Sequence, residues 1–124
     1  SMKVEISNGD LVDKLSILSI KMGKDFSEGA KKNIEKEYNE LLKITPSKIS
    51  VNSADFRALL SINSRLWDIE NEIRELSREK DFGNIFIELA RSIQELNGTR
   101  ANLKKGINEW TNSKIIEEKN YQLM

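Results

Sequence analysis

Two apolar seams constrain this chain more than any other feature. Leu59, Ile62, Leu66, Ile69, Ile73 and Leu76 recur at strictly alternating steps of three and four residues, and Phe86, Leu89, Ile93, Leu96, Arg100, Leu103, Ile107 and Trp110 repeat the pattern. That period places one stripe along one side of a helix and is the seam by which two helices interlock. Asp81-Phe82-Gly83-Asn84 between them reads as a turn. Ser53, with Asp55 in the following turn, opens the first of the pair, which ends near Lys80. The second runs from about Asn84 to Trp110. Two such helices joined by a short turn predict an antiparallel hairpin. Gly98 lies inside the second and costs about 1 kcal/mol relative to Ala. The period continues through it in phase, so the segment is one helix, with any bend falling there.

Two further helices precede the pair. Ser7-Asn8-Gly9-Asp10 reads as a helix start, because Ser7 can accept from the amide three residues on and Asp10 puts a carboxylate where the helix dipole favours it. From about Asn8 to Lys21, Leu11, Leu15, Leu18 and Met22 form a stripe that Val12, Ile17 and Ile20 widen. A stripe that wide implies more than one packing neighbour. Gly23 ends the helix. The next segment, about Ser27 to Ile44, carries Ala30, Ile34, Tyr38, Leu41 and Leu42 against a Lys/Glu-rich solvated face, and Thr45-Pro46 stops it. Lys3 to Ile6 reads as a short strand or an extended arm. The expected fold is therefore an all-α antiparallel helical bundle, one domain over residues 1–124. Ser1 ahead of Met2 reads as a cloning remnant, and the tail, 114–124, is apolar enough at Ile115-Ile116 and Tyr121-Gln122-Leu123 to pack back. One Pro and six Gly fit this better than a strand-rich fold.

Composition removes whole classes of chemistry. With no Cys and no His, disulfides, thiol nucleophiles, zinc ribbons and histidine triads are excluded. Twenty basic and twenty acidic residues cancel, so no bulk charge draws the chain to nucleic acid or anionic lipid. No run approaches the 18 apolar residues of a membrane span, and the start of the chain lacks the apolar segment of a signal peptide. A cytoplasmic address, no cofactor, no nucleic acid and no membrane are the expectations. Carboxylates can still hold a hard cation. The acid pairs three apart, Asp10/Asp13, Asp25/Glu28, Glu37/Glu40 and Glu72/Glu75, are about as many as twenty acids in 124 positions give by chance. All-helical nucleotide pyrophosphohydrolases hold magnesium with two such pairs. The last helix here has none, since Arg91 follows Glu88, and no metal site is assigned.

Arg100 is the residue out of place. A guanidinium on an apolar seam needs a carboxylate partner or an open cleft. In an antiparallel hairpin Arg100 falls opposite Leu66 and Trp67, one turn from Asn63 and Glu70, and Glu70 is within reach. Asn63, Trp67, Glu70 and Arg74 form a polar stripe beside the seam, and Asn97 and Lys104 flank Arg100 by one turn each. One reading is a structural salt bridge that fixes helix register, with a stacked tryptophan. The other is a basic pocket in which Arg74, Arg100 and Lys104 clamp a small anion, Trp67 forms a wall and Glu70 orients or acts as base. Lys14 and Lys21, seven apart on one helix face, can complete such a site.

Several stretches together carry a resemblance: Ile6-Ser7-Asn8-Gly9-Asp10-Leu11-Val12-Asp13-Lys14-Leu15-Ser16-Ile17-Leu18-Ser19-Ile20-Lys21, Leu66-Trp67-Asp68-Ile69-Glu70 with Ile73-Arg74, Asp81-Phe82-Gly83 followed by Phe86-Ile87-Glu88-Leu89-Ala90-Arg91-Ser92, then Asn97, Arg100-Ala101, Lys104 and Ile107-Asn108, and finally Glu117-Glu118-Lys119-Asn120-Tyr121. The chain resembles an uncharacterised family of small bacterial and phage proteins, a domain of unknown function. The resemblance implies that Asp13, Lys14, Trp67, Glu70, Arg74, Arg91, Asn97, Arg100 and Lys104 belong to the family pattern, and that an acidic residue usually stands where Gly98 does. It names no chemistry. The expected function is a cytoplasmic, non-enzymatic interaction or assembly module that forms a homodimer or meets a protein partner. The alternative is a protein or enzyme that binds a phosphorylated or carboxylated metabolite through the Arg/Lys/Glu cluster.

Overall fold

A computed structural model describes residues 2–118. Among them are four helices and no strand: α1 (Asn8–Met22), α2 (Glu28–Ile44), α3 (Ala54–Arg78) and α4 (Asn84–Trp110). The segment before α1 is an extended arm without strand pairing. Ser7, Ser27 and Ser53 each accept from the amide three residues on and so begin α1, α2 and α3. α4 starts after Gly83 without a side-chain cap. Lys80 and Asn112, both at positive φ (58° and 55°), turn the chain out of α3 and α4. α4 passes unbroken through Gly98, where a Cβ would meet nothing within 4 Å.

The helices pack as a bundle, and its hub is α1. It lies against α2, α3 and α4, while α3 also lies against α4, which is what its wide apolar stripe demands. Leu11, Val12 and Leu15 of α1 meet Phe56 and Leu59 of α3 and Ile107 of α4, and Tyr38 and Leu41 of α2 with Ile49 and Val51 close the cluster. Each such side chain contributes roughly 1.5–3 kcal/mol by leaving water.

The two seams are buried unequally along their length. Leu59, Leu66 and Ile69 are buried, but Ile73 and Leu76 are only half-buried, and of the α4 seam only Ile107 is fully covered. The reason is helix length. The 15 residues of α1 span about 22 Å, and the 27 of α4 span about 40 Å. The end of α1 reaches the level of Trp67, where Lys24 Nζ lies 5.6 Å from the ring centre. Beyond it α3 and α4 continue together, and no residue from Glu70 to Gly106 is buried. Phe82 and Phe86 pack edge to face, 5.1 Å apart, at the turn of this overhang. At the opposite end Trp110 Nε1 donates to Asp55 Oδ2 at 2.7 Å and ties α4 to the start of α3.

The first residues of the tail are held by polar contacts. Ser113 Oγ accepts from the Asn8 amide (3.1 Å) and donates to the Ile115 carbonyl (2.8 Å). Ile115 and Ile116 stay substantially exposed, so these two do not make the apolar packing expected of the tail. Tyr121, Gln122 and Leu123 lie outside the described residues.

Candidate functional site

The site is built where α1 crosses α4. Ser7 caps α1, and Asn8 and Gly9, its first two residues, dock it. The Gly9 amide donates to Asn108 Oδ1 at 2.6 Å, and Asn8 Nδ2 donates to Thr111 Oγ1 at 2.9 Å. A Cβ on Gly9 would lie 2.4 Å from the Lys104 carbonyl oxygen, closer than any real contact, so the helices can approach this tightly only with glycine there. This close approach brings Asp13, one turn on, beneath Arg100.

Arg100 Nε and Nη2 donate to the two oxygens of Asp13 at 2.9 and 2.5 Å, a bidentate pair of the strong, charge-assisted kind. The Asp13 side chain is 7% exposed and that of Arg100 28%. Asn63 Nδ2 adds bonds to Asp13 Oδ1 and Ser16 Oγ, both 2.8 Å, and Ser16 Oγ donates to the Asp13 carbonyl at 2.6 Å. Among the described residues no buried side-chain nitrogen or oxygen lacks a partner. The network spans α1, α3 and α4, so it fixes the register of all three. The carboxylate foreseen for Arg100 was Glu70; Asp13 takes that part, because α1 lies against both α3 and α4.

Outside this pair opens a cleft of about 480 Å³. α1 lines it with Asp10, Asp13, Lys14, Ile17, Leu18 and Lys21, α4 with Arg100 and Lys104, α2 with Glu37 and the arm with Ile6. Lys104, only 15% exposed at its side chain, sits 2.8 Å from Asp10 and 3.7 Å from Glu117. Lys14 meets Glu37 at 3.3 Å with both side chains about half exposed. Partial burial works to raise the Asp10 carboxyl, but the hydrogen bond and charge of Lys104, helped by Ser7 and Glu117, outweigh it and hold the group below its ordinary value of 3.8.

The residues singled out from spacing therefore divide. Lys14, Arg100 and Lys104 converge on this cleft. Trp67 and Glu70 lie on the other side of the Asp13–Arg100 pair, in a cavity of about 190 Å³ that Arg100, Asn63 and Ile17 also line. Asn97 is half-buried and lines neither. Arg74, seven residues past Trp67, bonds Asn71 of its own helix and lines neither cavity, so the expected trio of Arg74, Arg100 and Lys104 does not assemble. Among the described residues no group of acidic side chains gathers as a metal site. Spacing alone missed Asp13, Ser16 and Asn108. A signal for the first two was present: Gly9, Asp13 and Ser16 step by 4 and 3 along α1, a line of small and polar residues beside the wide apolar stripe. Asn108 offered none in its spacing and stood out only as part of the resemblance, in Ile107-Asn108.

This is a four-helix bundle whose hub helix carries a buried polar network beside a charge-lined cleft, and among its described residues no helix is long and apolar enough to cross a membrane. By sequence, residues 2–124 match one family as a whole. The chain belongs to that family, described as a family of unknown function (DUF6165). No curated protein and no solved structure matches it.

Proposed function

We propose that this protein is a non-enzymatic interaction and assembly module of the cytoplasm, and that it associates with a second copy of itself through the α3–α4 overhang. One observation carries the reading. The heptad pattern continues past the end of α1 through Ile73, Leu76, Leu89 and Ile93, yet nothing in that stretch is buried. Phe82, Ile85 and Ile87 are 50–67% exposed. A lone pair of helices buries too little to justify so regular a seam. Two overhangs laid side by side form a four-helix bundle, the closed two-fold arrangement that such seams favour. The overhang carries charges of both signs, including Glu75–Arg78 and Glu88–Arg91 within single helix turns, with seven acids against four bases from Glu70 to Leu96, so association is expected to strengthen as salt screens the excess.

The test is the solution mass by light scattering across a concentration series, with far-ultraviolet circular dichroism in parallel. The wild type is expected to approach dimer mass as concentration rises. The double variant Phe82→Glu/Ile85→Glu is expected to stay monomeric with unchanged helicity. A wild type that remains monomeric throughout the series would exclude the second copy as occupant.

A further inference from the structure

We propose, independently of the assembly reading, that the cleft between α1, α2 and α4 binds an organic phosphate monoester. The cleft falls within the range of small-molecule sites, roughly 300–1,000 Å³, at about 480 Å³. Four cations line it against three carboxylates, and Glu117 adds a fourth carboxylate 3.7 Å from Lys104. What matters is how firmly each cation is held.

Arg100 and Asp13 form the rigid floor. The planar fork of a guanidinium receives a carboxylate or a phosphate by two parallel hydrogen bonds, and here Asp13 already occupies that fork with Asn63 behind it. The other three cations are ammonium groups, compact point charges that bind phosphate without the planar match a guanidinium requires. Lys104 is held in place by Asp10 at 2.8 Å, while Glu117 stands at 3.7 Å, beyond hydrogen-bond reach. An ammonium has three donors, so Lys104 keeps capacity for a further acceptor. The Lys14–Glu37 pair is half exposed and yields at little cost. Lys21 has no ion pair within 4 Å among the described residues. Lys14 and Lys21 are about 10 Å apart along α1, with Ile17 between them on the cleft wall. A phosphate bound between Lys104 and Lys14 therefore lays its organic body over Ile17 towards Lys21.

The probes are phenyl phosphate, benzoate and inorganic phosphate, followed on the full chain by amide chemical-shift perturbation and by the melting temperature. Phenyl phosphate is expected to saturate, shifting amides from Asp13 to Lys21 and from Arg100 to Lys104, with affinity at least about tenfold above that of benzoate or inorganic phosphate. Lys14→Ala/Lys21→Ala removes only exposed or half-exposed side chains, so its fold is expected to survive, and its affinity for phenyl phosphate is expected to fall about tenfold or more. Benzoate binding as tightly as phenyl phosphate overturns the phosphate assignment. An absence of saturation, or an unchanged affinity in the double variant, overturns the site.

Discussion

The foot of the bundle and the overhang are made from the same two helices, yet they are held in opposite ways. At the foot, α1 brings a glycine against the α4 backbone and places a carboxylate, a hydroxyl and an amide in one closed network. In the overhang the same helices share only a half-covered apolar seam and single-turn ion pairs such as Arg78–Glu75, which contribute little in water. A heptad pattern thus states which side of a helix will be covered but not how completely. That depends on a third partner, and α1 is too short to cover α3 and α4 along their whole length.

Breaking the network should give the largest effect. Arg100→Ala strands the buried Asp13 carboxylate and is expected to cost about 3–5 kcal/mol in urea unfolding. Asp13→Leu combined with Arg100→Met should cost less than the sum of the two single changes, since neither charge is then left alone. Apolar truncation should separate the regions next. Leu59→Ala at the foot, where Leu59 is 0% exposed, should cost about 2–5 kcal/mol, whereas Leu76→Ala in the overhang should cost about 1 kcal/mol. Amide exchange should rank the two regions in the same order.

Two glycines sharpen the contrast and differ in sign. Gly9→Ala forces a methyl into the Lys104 carbonyl and is expected to destabilise by about 1–3 kcal/mol. Gly98→Ala enters open space on a continuous helix and should stabilise by about 0.5–1 kcal/mol, raising the melting temperature. The smallest effect is at acid pH. The Asp10 carboxyl is held below its ordinary value of 3.8, so its contribution is complete above that value and disappears as pH falls through the lowered one. Asp10→Asn should flatten the acid limb of the stability curve below about pH 4.

Helix positions were legible along the whole described chain because each signal is local. Apolar period, serine caps, Gly23 and Pro46 act within a few residues of where they stand. Arg100 was legible as an anomaly for the same reason, since a charge on an apolar seam needs a partner wherever the seam goes. The partner itself was not. Seen along α3 alone, Glu70 was the nearest carboxylate one turn away. Asp13 is 87 residues distant in sequence and reaches Arg100 only because α1 lies against both α3 and α4.

The amino-acid order therefore settles the number of helices, their ends and the faces that turn inward, since each follows from backbone hydrogen bonding and the period of apolar side chains. Which helix becomes the hub, which acid meets the arginine, and how far α3 and α4 outrun their cover are fixed by close approach between remote segments. The contact between Gly9 and the Lys104 carbonyl is the clearest case: no pattern within either segment reveals it, because excluded volume acts only once two helices are pressed together.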